Sequence, residues 1–528
     1  MLILYNGRIA TNDPRQPQVT ALGIEHGRVV MVGADQELLA EARSGARTFD
    51  LRQRTVWPGL IDAHLHLDHY AMGLQRVACE TGTQAECLRR VAERVRSARP
   101  GEWILGHGWN HNAWPEGYGT AALLDAISPR NPVYLTAKSL HAGWANSLAF
   151  QAAKITAATP DPADGVIQRD SQSQPDGILL EGAMELVNRI LPVPSTEEIA
   201  EAIFRAQTNL WQMGITSVHD YDQRRCFVAL QQLHEDDRLR LRVVKGIPRA
   251  DLPHATGLGL RSGFGDDLLR IGAVKLFSDG ALGPQTAAML EPYEGSSDSG
   301  VLLLDVEEII EIGLMAAANG LALATHAIGD RANHTVLNAY TRLREIERDQ
   351  NLPRLRHRIE HVQIIDPADA PRFARLNVIA SMQPVHATSD MLAANQHWGR
   401  RSANAYAWKT LLDQGTILAF GSDAPVEIPN PFWGIHAAVT RQRADGSPGP
   451  EGWYPEQRLS LNQSLSAYTI GAACAAGMED RLGRLAPGYL ADLILLNQDP
   501  FTVAPQDLLN THPTATMVAG EWVWQGAE

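Results

Sequence analysis

"GLIDAHLHLDHY", residues 59–70, decides how this chain is read. It has the apolar content of a buried strand, yet His64 and His66 interrupt it two residues apart. Side chains at i and i+2 of a strand share a face, so both imidazoles aim the same way. Polar groups buried without partners cost free energy. The stretch therefore asks for something that both rings can bind.

Working outward, seven further apolar stretches alternate with helix-like segments. With residues 60–66 they are 214–220, 241–247, 271–277, 321–326, 357–362, 377–383 and 416–423. Strand–helix alternation builds a parallel sheet, and eight such units fit an α/β fold, the (β/α)8 barrel. In that barrel the chemistry sits at the C-terminal ends of the strands. Polar residues gather at those ends: His64 and His66 on the first strand, Lys275 on the fourth, His326 on the fifth, His361 on the sixth and Asp423 on the eighth. Independent core histidines have no reason to occupy successive strand ends. Imidazole nitrogen and carboxylate oxygen suit Zn2+ and similar divalent ions, so one or two such ions are the expected cofactor.

Lys275 has two readings. A buried, unpaired ammonium costs several kcal/mol, so the group must be paired or change state. It could pair with Asp279. Alternatively its neutral amine could take up CO2, and the resulting N-carboxylated lysine could bridge two metals.

The remaining chain frames this barrel. The two ends, 1–56 and 485–528, read as short strands with turn signals and are expected to share one composite β-sandwich. The barrel then occupies 57–484, and the gap between its first two strands is too long for a loop. It is read as an insertion of about 72–210 over the barrel mouth. Net charge is −14 with no basic stripe, which argues against a nucleic-acid partner. No segment has the length of apolar sequence that a membrane span needs. The four cysteines show no C-x-x-C spacing, and MLILYNGRI reads as a strand, not a leader. A cytoplasmic protein with a small-molecule substrate, and a homodimer by base rate, are the expectations.

The motifs PGLIDAHLHL, GITSVHD, VKLFSDGALGPQTAAM, THAIGDRA, RIEHVQ, SMQP and GSDAPVEIPNPFWGIHAAVTR resemble the amidohydrolase superfamily, specifically its YtcJ-like branch (amidohydrolase family 3). That branch includes N-substituted formamide deformylases. GHGWNHNAWPEG and the C-terminal YTIGAACAAGMEDRLGRLAPGYLADLILLNQDPF match as well, so the resemblance spans essentially the whole chain. It implies the barrel, the composite sandwich, one or two divalent metals (usually zinc) and hydrolysis at a carbon–nitrogen bond. By matching motif, His64 and His66 would hold the more buried metal with Asp423, Lys275 would bridge if carboxylated, and His326 and His361 would hold the second metal. One departure matters: many relatives carry Gly-Ser-Arg-Thr where this chain has Gly283-Pro284-Gln285-Thr286. Without that arginine, an acidic substrate is a weaker expectation.

In such a hydrolase a metal-activated water attacks the carbonyl, and a nearby carboxylate relays its proton to the leaving amine. Asp423 is the candidate for both ligand and proton shuttle. His219 and His386 either stabilise the oxyanion or pack. Trp109 and Asn110 in GHGWNHNAW, with His141 in SLHAGWAN, either form a substrate wall or are structural. Strand alternation turns Arg358 away from the site if His361 points in. His69 and Asp68 fall beyond the strand, in supporting or loop positions. Two rivals remain. Deaminases of this fold commonly place a glutamate three residues after the fifth-strand histidine, but here His326 is followed by Ala327, Ile328 and Gly329, with Asp330 next. A non-catalytic metal-binding relative would be free to lose ligands, and the set is complete. Neither a G-x-S-x-G elbow nor a phosphate-binding P-loop is present.

Overall fold

Eight parallel strands form one sheet, each overlapping a stretch the sequence marked out and three of them running one or two residues past it. They are β1 (Leu60–Leu65), β2 (Ile215–Asp220), β3 (Arg242–Pro248), β4 (Leu269–Phe277), β5 (Leu323–Ala327), β6 (Arg358–His361), β7 (Ile379–Met382) and β8 (Leu418–Phe420). Neighbours in sequence are neighbours in the sheet, from β1 through β8. The computed structural model describes residues 1–41, 45–111, 114–138, 141–162 and 165–526. Positions 112–113 and 139–140, within two of the quoted motifs, lie outside the described residues.

The sheet closes on itself just beyond β8. The Asp423 N–H donates to the His64 carbonyl at 2.7 Å, and the His66 N–H donates to the Ala424 carbonyl at 2.8 Å. Asp62 reinforces the seam: its carboxylate accepts the Ser422 N–H at 3.0 Å and the Ser422 hydroxyl at 2.5 Å. The backbones come so close that a Cβ at Gly421 would lie 2.5 Å from the His64 nitrogen. Only glycine fits there, so the closure is written into Gly421-Ser422-Asp423.

Every residue of β1 is buried, as expected for a parallel strand covered on both faces. Ile61 and Ala63 pack outward with Ala472, Ala473 and Cys474. Asp62 and His64, at the alternate positions, turn inward. The surrounding helices carry their own start signals. Asp305 accepts the Glu308 N–H at 2.8 Å, and Glu308 accepts the Asp305 N–H at 3.0 Å, a reciprocal cap that starts helix Val306–Ala318.

Two smaller sheets flank the barrel within the unit Met1–Tyr70 plus Ile203–Glu528. One contains only N-terminal strands. The other mixes both ends: Leu493–Leu496 runs antiparallel to Thr55–Pro58, with Ile494 opposite Trp57. Leu4, Leu22, Val56, Leu493, Leu495 and Met517 share one core. A buried pair ties the C-terminal strands to the barrel: the Arg242 guanidinium grips Asp492 at 2.6 and 2.8 Å.

Ala71–Ala202 is a separate compact unit. Its six-stranded sheet runs, edge to edge, Gly165–Arg169, Pro175–Glu181, Ala142–Ala145, Val133–Ala137, Ile104–Trp109 and Val77–Ala78. Helix Gln84–Ser97 starts at Thr83, whose hydroxyl accepts the Glu86 N–H, and buries Cys87 and Val91. No helix among the described residues is long and apolar enough to cross a membrane.

Candidate metal centre

At the C-terminal end of the barrel lies a cavity of about 330 Å³, lined by His64, His66, Lys275, His326, His361 and Asp423. Strands at different points of the ring thus deliver all six side chains to one space. Asp423 is the meeting point. Its Oδ1 is 3.6 Å from His64 Nε2 and 3.5 Å from His66 Nε2. The left-handed backbone at Asp423, φ 60°, turns its carboxylate back towards the axis. His64, His66 and Asp423 offer three donor atoms within 4.8 Å of one another, and so do His361, His386 and Asp423. The second grouping differs from the sequence expectation. His386, on helix Pro384–Trp398, joins His361 there, while His326 keeps only a ring contact with His361 at 4.6 Å between centroids.

Each of the four strand-borne imidazoles has one nitrogen anchored and the other turned loose. His64 Nδ1 is 2.6 Å from Glu360 Oε2, and His66 Nδ1 is 3.1 Å from Asp222 Oδ1. His361 Nδ1 is 2.9 Å from Gln383 Oε1, and His326 Nε2 is 2.8 Å from the Gly280 carbonyl. Every anchor is an acceptor, so in the neutral ring the anchored nitrogen carries the proton and the other presents a lone pair. That is how metal-binding histidines are oriented. Burial holds His64 and His361 well below the usual imidazole pKa and lowers His326 to about 3, so these three rings are neutral donors, whereas the burial of His66 is outweighed by Asp222 and the other carboxylates around it, which raise its pKa. Burial also raises the Asp423 carboxyl. The donor set therefore fits a divalent ion on geometry and chemistry alike.

Lys275 is 4 % exposed, and its Nζ has no hydrogen-bond partner. Pairing with Asp279 does not occur. That carboxylate instead accepts the N–H groups of Ile328, Gly329 and Ala288 at 3.0, 2.8 and 2.9 Å. The ammonium lies over the faces of Tyr221 and Phe277, at 4.9 and 5.0 Å, with the Glu360 and Asp423 carboxylates near enough to act on it through space. Burial lowers its pKa to about 8.

Arg358 and His361 correct the alternation argument. Arg358 points into the barrel: it donates to His219 Nδ1 at 2.8 Å, and to the Ala63 carbonyl and Ser381 hydroxyl at 2.6 Å each. Ser381 lies on the neighbouring β7, while the partners on β1 and β2 are reachable only across the interior. Glu360, two residues on, shares that face and binds Arg358 and His64. His361 should then point outward, but its backbone adopts φ 74°, which breaks the strand and swings the ring into the cavity. His219 is committed to Arg358 and does not line the cavity.

Two of the candidates in Ala71–Ala202, Trp109 and His141, have partners in their own unit. Trp109 is fully buried beside Trp114, Trp144 and Leu135, and its indole N–H donates to the Leu135 carbonyl at 2.8 Å. It fills that unit's core. Asn110 follows it at the end of strand Ile104–Trp109. His141 Nδ1 is 2.8 Å from Glu181, and the side chain is largely exposed. His69 shares Asp222 with His66 and also meets Asp68, and those two carboxylates push its pKa up to about 10.

Sequence reasoning passed over Glu360, Asp222 and Gln383, the three side chains that orient the rings. A signal existed for the first two. A ligating histidine needs an acceptor for its second nitrogen, and a buried acid beside RIEH or in HDYD could supply it.

Comparison with known proteins places these features in context. A model of the amidohydrolase family matches residues 47–524. The putative amidohydrolase YtcJ of Bacillus subtilis is 32% identical over 99% of this chain and 99% of its own length. The N-substituted formamide deformylase of Arthrobacter pascens is 28% identical, covering 98% of this chain and 97% of its own. Among solved structures, an uncharacterised metal-dependent hydrolase from Pyrococcus furiosus superposes with a TM-score of 0.78 at 30% identity, over 95% of this chain and 100% of that one.

Proposed function

The chain belongs to the amidohydrolase family, and from that premise we propose that it hydrolyses the carbon–nitrogen bond of a small amide, an N-formyl or N-acyl amine. The observation that carries this reading is the anchoring of four imidazoles so that one nitrogen of each stays free around a single cavity with Asp423. His64, His66 and Asp423 would hold one divalent ion, for which zinc is our choice, and His361 with His326 or His386 a second. Such an ion supplies a water whose pKa falls from about 15.7 towards 7 and a Lewis acid for the substrate carbonyl.

The protein's own groups do the rest. One Asp423 oxygen faces His64 and His66, and we assign the other to the proton, taken from the attacking water and handed to the departing amine. His386 Nε2 has no partner among the described residues and lines the same cavity; where His326 rather than His386 completes the second metal site, it can donate to the developing oxyanion. The unpartnered Lys275 amine can add to CO2, forming an N–C bond and releasing a proton. The carbamate so formed replaces a stranded cation by an anionic oxygen ligand. Deamination finds less support. Asp330, the first acid after His326, accepts the Leu290 and Arg331 N–H groups and is absent from the cavity wall.

The test is metal-replete enzyme against a panel of N-formyl and N-acyl amines, with released amine as the readout. Turnover should vanish on chelation and return with zinc or manganese. Amine release by metal-free protein, or by no member of the panel with metal bound, contradicts the proposal.

A further inference from the structure

Beyond the metal-ligand candidates, the cavity wall is one-sided in charge. Asp390 and Glu427 both line it. The Tyr406 hydroxyl donates to Asp390 Oδ2 at 2.5 Å, which leaves Oδ1 available. Neither carboxylate forms an ion pair among the described residues. Gln363, only 4 % exposed, also lines the cavity. Its Nε2 lies 3.5 Å from His386 Nδ1, while its Oε1 has no partner. A buried acceptor left empty at a cavity wall asks for a donor from a ligand. The rest of the lining brings no positive charge to these groups. Gly283 lines the cavity, and its loop continues Pro284-Gln285-Thr286 with no basic residue. Lys275 is the only lysine or arginine among the lining residues, at the buried end beside the ligand candidates. Between these features the surface is apolar, from Phe277, Leu282, Ile328 and Val426.

We infer that the substrate carries a cationic, N–H-donating group separated from the scissile amide by an apolar spacer, with Asp390, Glu427 and Gln363 Oε1 as its receptor. The inference rests on the hydrolase reading for the word substrate, but the recognition itself needs no turnover. An ammonium or guanidinium would satisfy two carboxylates and one carbonyl that the protein leaves without a cation. An anionic head would meet the same groups and be repelled. In this partly desolvated space, charge-assisted hydrogen bonds discriminate strongly between the two.

The experiment uses ligands that cannot be hydrolysed, on the metal-loaded protein, by calorimetry. The mono-methanesulfonamide of 1,5-diaminopentane and the methanesulfonamides of hexylamine and 6-aminohexanoic acid share a five-methylene chain and end in an ammonium, a methyl and a carboxylate. The ammonium ligand should bind at least about tenfold more tightly than the neutral one, as expected for hydrogen bonds to charged groups, and the carboxylate should bind most weakly. Asp390→Asn with Glu427→Gln should level the first two while metal content stays unchanged. Equal affinity for the ammonium and neutral ligands, or a preference that survives the double substitution, overturns the inference. The wild-type comparison decides even if the variant fails to fold. The corresponding N-formyl and N-acetyl amines are then assayed for turnover. A preference for the cation with no hydrolysis of any amide would defeat the hydrolase reading and leave this recognition standing.

Discussion

Two polar clusters lie within a few residues of each other in this barrel, and they are built on opposite principles. In the interior, Arg358 spends its guanidinium on Glu360, His219, Ser381 and the Ala63 carbonyl. At the rim, His64, His66, His326 and His361 are each held by one nitrogen and left open at the other, and Lys275 is bonded to nothing. In the interior cluster the charges answer one another, and the buried His219 Nε2 is left without a hydrogen-bond partner among the described residues. The rim is oriented but incomplete. Burial of polar groups therefore does not by itself mark function. What marks it is a set of buried groups that the fold positions precisely enough to bind and then declines to satisfy. Glu360 joins the two clusters, because it holds both Arg358 and His64.

The comparison can be broken by substitution, and the effects should fall in order. Asp423→Asn should leave the melting temperature near that of the parent yet lower kcat by about a thousandfold or more, at the upper range for a general acid–base group that is also a ligand. A mild loss would remove Asp423 from the proton path. Arg358→Met should do the reverse in kind. It strands the buried Glu360 charge, and breaking a buried pair costs about 3–5 kcal/mol, so chemical denaturation should show a large fall in stability. A stable Arg358→Met protein would mean that the interior cluster is not held by that pair. Gln383→Leu removes only the anchor of His361. Metal affinity, read by competition with a chromophoric chelator, should weaken about 10- to 100-fold with little change in fold. Unaltered affinity would show that the His361 ring needs no anchor. Trp109→Phe should cost about 1 kcal/mol for the lost hydrogen bond to Leu135 and leave KM unchanged. A large KM effect would return the indole to the substrate wall.

The same contrast explains what could be read from sequence. The eight strands were legible because buried parallel strands are short apolar runs that alternate with helical segments. His64 and His66 were legible because the two-residue repeat of β1 carries one residue past the strand's end and leaves both rings on the cavity. His361 obeyed no such rule. Its place in the cavity comes from a left-handed residue that ends β6, and periodicity carries no information about where a strand breaks. Arg358 was misplaced by the same argument, since the parity was counted from His361. The anchors were hidden for another reason. Asp222 lies beyond the end of β2 and Gln383 at the start of a helix, so each meets its histidine only because its strand pairs with the histidine's, β2 with β1 and β7 with β6. Trp109 shows the limit of composition: an aromatic among glycines and polar residues suits a binding wall or a core equally well.

The central claim is that the rim is a metal centre assembled by β1 and the Asp423 turn. It is tested most directly by titrating Zn2+ into chelator-treated protein, as the parent and as His64→Asn/His66→Asn, with circular dichroism to verify the fold. The account predicts at least one tightly bound equivalent in the parent and loss of that equivalent in the folded variant. No tight site in the parent, or the same site in the variant, would contradict it.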